Sequence, residues 1–258
     1  MLSFNKYQGT GNDFIMIDDR TGMFDLNQPQ IEFLCDRRFG IGADGLILLQ
    51  KAEGFDFRMV YFNADGREGS MCGNGGRCTV RFAHDLGVFD ESTSFIAVDG
   101  PHEANVHGEI VSLKMSDVEG SKELGGSRFY NTGSPHVVKY VTDIDNFDVV
   151  AEGKAIRYSD FWQEKGGTNV NFVEVIDDLN IKVRTYERGV EDETYSCGTG
   201  VTACALDRFT ERALTSPVKI LTKGGELEVS YNAEKSGSFS EIWLSGPAIQ
   251  VFVGKIDV

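Results

Sequence analysis

Met71-Cys72-Gly73-Asn74-Gly75-Gly76-Arg77-Cys78 and, far along the chain, Ser196-Cys197-Gly198-Thr199-Gly200-Val201-Thr202-Ala203-Cys204 carry one pattern twice. In each, a cysteine precedes Gly-x-Gly and the chain then turns small and apolar, which predicts a helix opening just after the cysteine. A helix N-terminus presents backbone N–H groups that lack an intrahelical partner and can hold an anion. Its dipole also favours a thiolate over a thiol. The doubling reaches further. Gly11-Asn12-Asp13-Phe14 and Asn63 precede the first cysteine in the same order as Gly133-Ser134-Pro135-His136 and Glu187 precede the second. Similar elements in similar order predict two halves of one design, facing each other.

A chain of 258 residues can bury a substantial core, as one large domain or as two of roughly 120 residues. Apolar residues make up 41%, an ordinary globular share, and the formal charge of −15 argues against a general nucleic-acid surface. No apolar run reaches bilayer length, and the start Met1-Leu2-Ser3-Phe4-Asn5-Lys6 lacks a signal-peptide core, so the expectation is a cytoplasmic protein without a membrane partner. Five cysteines in such a chain form no disulfide framework, and the odd count agrees with reduced thiols. Cys35 is expected in a core. Cys78 and Cys204 lie about two helical turns beyond the leading cysteines and read as buried helix positions.

Along the chain, strands are predicted on both sides of the Gln8–Asp13 turn, and Asn27-Gln28-Pro29 opens a helix. Gly40, Gly42 and Gly45 match G-x-G-x-x-G in letters, but a strand follows them where a dinucleotide fingerprint requires a helix. A strand at 55–62 enters the Asn63-Ala64-Asp65-Gly66 turn. Strands are expected at 95–98, 103–106 and 109–115, and the polar, glycine-bearing stretch 116–128 reads as the boundary between halves. In the second half, strands are expected at 137–141, 170–176, 181–186, 218–221, 226–231 and 241–244, with helices within 144–156 and over 200–213. Residues 232–240 read as a mobile loop, and 249–253 as a last strand that crosses back to the first half.

Two thiols on opposite sides of one carbon suit proton removal from one face and proton return to the other, as in a racemase or epimerase. Backbone N–H groups at Gly73-Asn74 and Gly198-Thr199 could hold an α-carboxylate and the charge that develops on it. No lysine sits in a pyridoxal motif, and paired thiols make that cofactor unnecessary. Neither cysteine lies in C-x-x-C, as a redox pair would, and His84, His102, His107 and His136 show no metal-ligand spacing. A Cys-His-Asn hydrolase would use one thiol only. His136 stands either beside a thiol that it tunes or as a satisfied structural histidine. Asn12, Asn63 and Asn169 each read alone as an Asx turn. Together with Glu187 and Arg188 they offer amides, a carboxylate for an ammonium and a guanidinium for a carboxylate, which suits a ligand with an amino-acid group at each end.

The ordered set Gly11–Phe14, Asn63, Cys72–Arg77, Gly133–His136, Asn169, Glu187-Arg188-Gly189 and Cys197–Gly200 closely resembles the diaminopimelate epimerase family over essentially the whole chain. The resemblance implies conversion of LL-2,6-diaminopimelate to the meso form, without a cofactor or metal, by a two-cysteine, two-base mechanism. Cys72 and Cys197 would be the acid–base pair. Gly73, Asn74, Gly198 and Thr199 would anchor the reacting carboxylate; Asn12, Asn63, Asn169, Glu187 and Arg188 would recognise the substrate; His136 and Glu187 would lie close to the thiols. The implied fold is α/β (α+β), two pseudo-symmetric halves, each a curled and mainly antiparallel sheet around a central helix. The expected halves are residues 1–116 completed by 247–258, and residues 117–246, with the active site in the cleft between them and a homodimer as the assembly. Two departures stand out: Gly45 where some members place a substrate-contacting glutamine, and Ser134 where asparagine is frequent. The rival enzymes are a proline or hydroxyproline racemase, whose first motif has histidine where this chain has Asn74, and a phenazine-type isomerase without the cysteine pair. The rival from another class is an amino-acid-binding module that has lost turnover.

Overall fold

A computed structural model describes residues 1–212 and 216–257; Ala213, where the expected 200–213 helix ends, lies outside the described residues. Contacts divide the chain into two compact units, Met1–Leu113 with Gly246–Val258, and Lys114–Ser245.

The first unit opens with a hairpin, β1 (Leu2–Gly9) and β2 (Asn12–Asp18). Its two-residue turn places both Thr10 and Gly11 at positive φ, 50° and 86°, the twist that a tight hairpin needs. A β-branched residue rarely adopts that conformation, so Thr10 is held there by its surroundings. Helix α1 (Gln28–Cys35) starts at a capping box, with Asn27 and Gln30 exchanging hydrogen bonds and proline in the first turn. It carries the chain to β3 (Gly45–Ala52), which pairs parallel with β2 and antiparallel with β4 (Phe55–Asn63). Helix α2 (Gly73–Asp85) then crosses to β5 (Ser92–Ala97), parallel to β4, and a meander through β6 (Gly100–His107) to β7 (Ile110–Lys114) follows.

The second unit repeats this order. A hairpin joins β9 (Ser127–Asn131) and β10 (Pro135–Tyr140), with β8 (Lys122–Leu124) against the outer side of β9. The glycines of the polar 116–128 stretch thus include a hairpin turn, with Gly125 and Gly126 both at positive φ. Helices α3 (Val149–Arg157) and α4 (Asp160–Gln163) cross to β11 (Asn169–Val175), parallel to β10. Strand β12 (Asn180–Glu187) returns antiparallel, and β13 (Asp192–Thr194) folds back on it. Helix α5 (Gly198–Arg212) crosses to β14 (Val218–Thr222), parallel to β12, before the meander of β15 (Gly225–Ala233) and β16 (Phe239–Pro247). The last strand, β17 (Ile249–Ile256), runs antiparallel along β1. It does for β1 what β8 does for β9.

The expected class holds: two similar halves, each a mainly antiparallel sheet with parallel pairs at its helical crossovers. In each half one long helix packs against most of the strands of its own sheet. Three local expectations change. The helix placed within 144–156 starts only at Val149, where Asp148 accepts the N–H of Ala151. The loop expected over 232–240 narrows to 234–238, because cross-strand pairing continues to Asn232–Ser240 and Ala233–Phe239 past a bulge. The final strand runs on to Ile256, held by its pairing with Leu2.

Helix α5 is buried nearly all round, with Val201, Ala203, Cys204, Ala205 and Leu206 fully enclosed among Val218, Ile220, Val229, Ile242 and Leu244. That explains its small, apolar sequence. Its enclosed carboxylate Asp207 accepts from Tyr130 Oη (3.0 Å), Tyr140 Oη (2.8 Å) and Arg128 Nη1 (3.2 Å), so the charge is compensated. Leu206→Ala should therefore cost about 2–5 kcal/mol of unfolding free energy in urea titration, whereas Val98→Ala, at a 60% exposed turn residue, should stay within about 0.5 kcal/mol of the parent.

Candidate active site

The five cysteines divide by environment. Cys35, Cys78 and Cys204 are enclosed, and burial pushes their thiols up, Cys35 to about 11 and Cys78 to about 12. They are held as neutral thiols and cannot exchange protons near neutral pH. Cys72 and Cys197 instead stand immediately before the long helices, and Cys72 is partly exposed.

In the first unit Cys72 is the N-cap of α2, with extended backbone angles (φ −106°, ψ 128°) and no side-chain cap hydrogen bond. Its carbonyl accepts the N–H of Gly76 at 2.7 Å and so starts the helix. The thiol lies 3.6 Å from Asn12 Oδ1, and Asn74 Nδ2 donates to the same oxygen at 3.3 Å. The direction of the Asn12 amide follows from its other end, where Nδ2 donates to the Asp44 carboxylate at 2.5 Å. A carboxylate only accepts, so Nδ2 faces Asp44 and Oδ1 faces the thiol.

Asp44 is held by Arg37 (2.7 Å), which also grips Asp13 (2.6 Å). Burial alone would raise the Asp13 carboxyl, but hydrogen bonds from Arg37 and Lys6 outweigh it and hold it down to about 2. Behind the thiol, the fully buried Arg77 donates through Nη2 to Thr10 Oγ1 and Asn74 Oδ1, each at 3.1 Å, while its Nε and Nη1 meet no hydrogen-bond acceptor among the described residues. The strained Thr10 turn thereby braces the start of the helix.

Asn63 is exposed at the end of β4, where its backbone N–H donates to the Arg67 carbonyl at 2.9 Å and its amide nitrogen lies 3.4 Å from the same oxygen. Gly45 opens β3, and a Cβ there would fall 2.5 Å from the Phe62 carbonyl oxygen, so no side chain fits without displacing the strand.

In the second unit Cys197 is only 8% exposed, and its carbonyl accepts the N–H of Val201 at 2.9 Å. Its sulfur lies 3.6 Å from Thr199 Oγ1. That hydroxyl sits 2.8 Å from His136 Nε2, and the Thr199 carbonyl accepts from Thr132 Oγ1 at 2.8 Å. His136 is fully buried; burial, reinforced by the charge of Arg188, lowers it to about 3 against an opposing hydrogen bond from Asn171. The imidazole is therefore neutral at working pH.

Asn169 is also buried. Its Nδ2 donates to Ser134 Oγ (3.0 Å) and the Pro135 carbonyl (2.8 Å), and its Oδ1 accepts the Arg188 N–H (2.8 Å). Serine at 134 thus still meets an amide, and Asn169 ties the start of β10 to the turn after β12. In that turn Glu187 accepts from Thr194 Oγ1 at 2.9 Å, and the exposed Arg188 donates to the Gly166 carbonyl at 3.2 Å.

The structure thus groups Asn12, Gly73 and Asn74 about Cys72, and Gly198, Thr199 and His136 about Cys197. Asn63 stands at the tip of β4 and joins neither set of hydrogen bonds. Sequence reasoning missed Arg37 and Asp44, which aim Asn12, together with Arg77, Asn171 and Thr185. For Asn171 a signal existed. Asn169 and Asn171 share one face of a largely buried, valine-rich strand, and asparagine is depleted from strands. Among the described residues no group of three or more His, Cys, Asp or Glu side chains is placed to hold a metal, and no helix is long and apolar enough to cross a membrane.

The diaminopimelate epimerase family model matches residues 4–119 and 128–249. The chain belongs to this family. It is 52% identical over 254 residues to a diaminopimelate epimerase of Flavobacterium psychrophilum, covering 97% of this chain and 98% of that one. It is 38% identical to one from Aquifex aeolicus, over 99% and 98% of the two chains. Among solved structures, a phenazine biosynthesis protein of the PhzF family from Bacillus anthracis matches with a TM-score of 0.74 at 16% identity, over 100% of this chain and 99% of that one. A probable proline racemase from Agrobacterium radiobacter matches with a TM-score of 0.68 at 16% identity, over 100% and 93%. At such identities these two likenesses concern the fold alone.

A neutral His136 has a consequence for stability. Its folded pKa of about 3 lies below its ordinary 6.5, so the folded state disfavours the proton. The stabilisation is complete above pH 6.5 and is lost as pH falls towards 3. The unfolding free energy of the parent, from urea titrations, should fall through that window by on the order of a few kcal/mol, and His136→Gln should flatten this part of the profile.

Proposed function

We propose that this protein interconverts LL- and meso-2,6-diaminopimelate, with Cys72 and Cys197 as a two-base pair. The observation that carries the reading is the division of the thiols within a chain of this family: three are held neutral by burial, and the remaining two stand at the N-termini of matching helices. One thiolate removes the α-proton, and the other thiol returns a proton to the opposite face of the same carbon. The roles exchange for the reverse direction. Cysteine suits the task because its ordinary pKa of about 8.5 can be brought towards neutrality by a helix N-terminus.

The difficulty is the weak acidity of an amino-acid α-hydrogen. Backbone N–H groups of Gly73 and Asn74, with those of Gly198 and Thr199, bind the α-carboxylate and the enolate-like charge that grows on it. Such donors contribute roughly 3–4 kcal/mol each in acyl-transfer sites. Asn12, Asn63, Asn169, Glu187 and Arg188 are proposed for the remaining amino and carboxylate groups, chiefly at the distal centre. For Asn169 the support is indirect, since its amide holds the Arg188 backbone and the Ser134–Pro135 turn. No cofactor is part of the proposal. A homodimer and a cytoplasmic setting complete it.

Proton NMR in deuterium oxide, with LL-diaminopimelate and no added cofactor, tests the reading. The α-proton signal should disappear as the meso isomer appears, and L-proline should not exchange. Exchange of proline alone would place the protein with the racemases, and silence with both would leave a binding role. Cys72→Ala and Cys197→Ala should each lower epimerisation by about a hundredfold or more with unchanged circular dichroism, and full turnover in either would overturn the two-base assignment. Arg188→Ala should weaken calorimetric binding of the doubly zwitterionic substrate more than binding of a simple amino acid.

A further inference from the structure

Behind Cys197 a buried file of side-chain hydrogen bonds runs through Thr185, Asn171, His136 and Thr199, and the two-base scheme does not use it. Thr185 Oγ1 donates to Asn171 Oδ1 at 2.9 Å. Asn171 Nδ2 donates to the Val137 carbonyl at 2.9 Å and lies 3.1 Å from His136 Nδ1. His136 Nε2 lies 2.8 Å from Thr199 Oγ1, which lies 3.6 Å from Cys197 Sγ. Thr185, Asn171 and His136 are all buried, so none exchanges its partner for water.

The file has a direction, and one atom sets it. The Val137 carbonyl can only accept, so the Asn171 amide must turn its nitrogen towards it, which leaves the oxygen for the Thr185 hydroxyl. The second hydrogen of that nitrogen then points at His136 Nδ1, which must be the bare, accepting nitrogen. A neutral imidazole carries one proton, so it sits on Nε2 and is donated to Thr199 Oγ1. With a lone pair of Thr199 occupied in this way, its own hydroxyl hydrogen is free to point at the sulfur.

We infer that Asn171 is a positioning residue that locks the Nε2–H tautomer of His136, so that the Thr199 hydroxyl donates its hydrogen bond to the Cys197 thiolate. The inference rests on the proposed role of Cys197 as a base and assigns the group that stabilises its charged form. It also gives a reason for Gly200 beyond helix initiation. A Cβ there would lie 2.4 Å from Asn171 Oδ1 and 3.3 Å from His136 Cε1, so only glycine lets the helix pass this file. The matching position of the first unit is apolar: a Cβ at Gly75 would meet Ile47, Met59 and Phe14 side chains instead.

Two readouts that involve no diaminopimelate separate this inference from the proposed reaction. In protein labelled with nitrogen-15 at histidine, the His136 ring, identified by its loss in His136→Gln, should show a protonated Nε2 and a bare Nδ1 at neutral pH. A protonated Nδ1 would overturn the inference. In Asn171→Leu the same ring should lose that single-tautomer signature while the backbone amide spectrum persists.

Iodoacetamide labelling of Cys197 at a fixed neutral pH, followed by peptide mass spectrometry, reads the thiolate. Thr199→Val should slow it about tenfold, the size expected for one hydrogen bond to a charged group, and Thr199→Ser should restore it. Equal rates in Val, Ser and parent proteins would overturn the role of the hydroxyl, even if epimerisation is found. A restored rate in Ser would stand even if diaminopimelate proved not to be the substrate.

Discussion

Both halves depend on one steric constraint: the first turn of each long helix must press against its own sheet with no side chain in the way. A Cβ at Gly75 would meet Ile47, Met59 and Phe14 at tight to ordinary contact distances, and one at Gly200 would lie against Asn171. At Gly200 a larger residue would push the helix outwards and move Cys197 with it, whereas at Gly75 it would have to displace the ends of those side chains. The glycines therefore fix where the thiols stand. They do so at some loss of helix propensity, which the burial of α2 and α5 offsets through the apolar surface it removes from water.

On that shared frame the two thiols are surrounded differently. Cys72 faces an amide oxygen, aimed by the carboxylate of Asp44 and backed by the Arg37–Asp13 network. Cys197 faces a hydroxyl, backed by neutral imidazole and amide. An amide oxygen accepts only, whereas a hydroxyl can do either. The duplicated frame thus supports two thiol environments of different hydrogen-bonding character.

Much of this was legible in the residues. The repeated cysteine-glycine motif announced two halves, the strand after Gly45 ruled out a dinucleotide loop, and the two-turn spacing of Cys78 and Cys204 marked them as buried. These readings rest on local rules: helix initiation, period and turn chemistry. The refinements were local too. The loop read over 232–240 from its polar, small composition is confined to 234–238, because cross-strand pairing carries both strands nearly to the turn. Within 144–156 the helix itself begins at Val149, and the apolar Ile144 belongs to the core beneath it.

By itself, then, the sequence determined the two-fold order of elements, the positions of the thiols and the residue set of the family, because each of these is carried by neighbours along the chain. The tertiary structure decided which atoms face them. The orientation of Asn12 depends on Asp44, and that of Asn171 on the carbonyl of Val137; the tautomer of His136 depends on Asn171. An amide or an imidazole has two nearly equivalent ends, and nothing in the order of residues distinguishes them. Only a partner that can solely accept or solely donate does so, and it is brought from elsewhere in the chain by the pairing of strands.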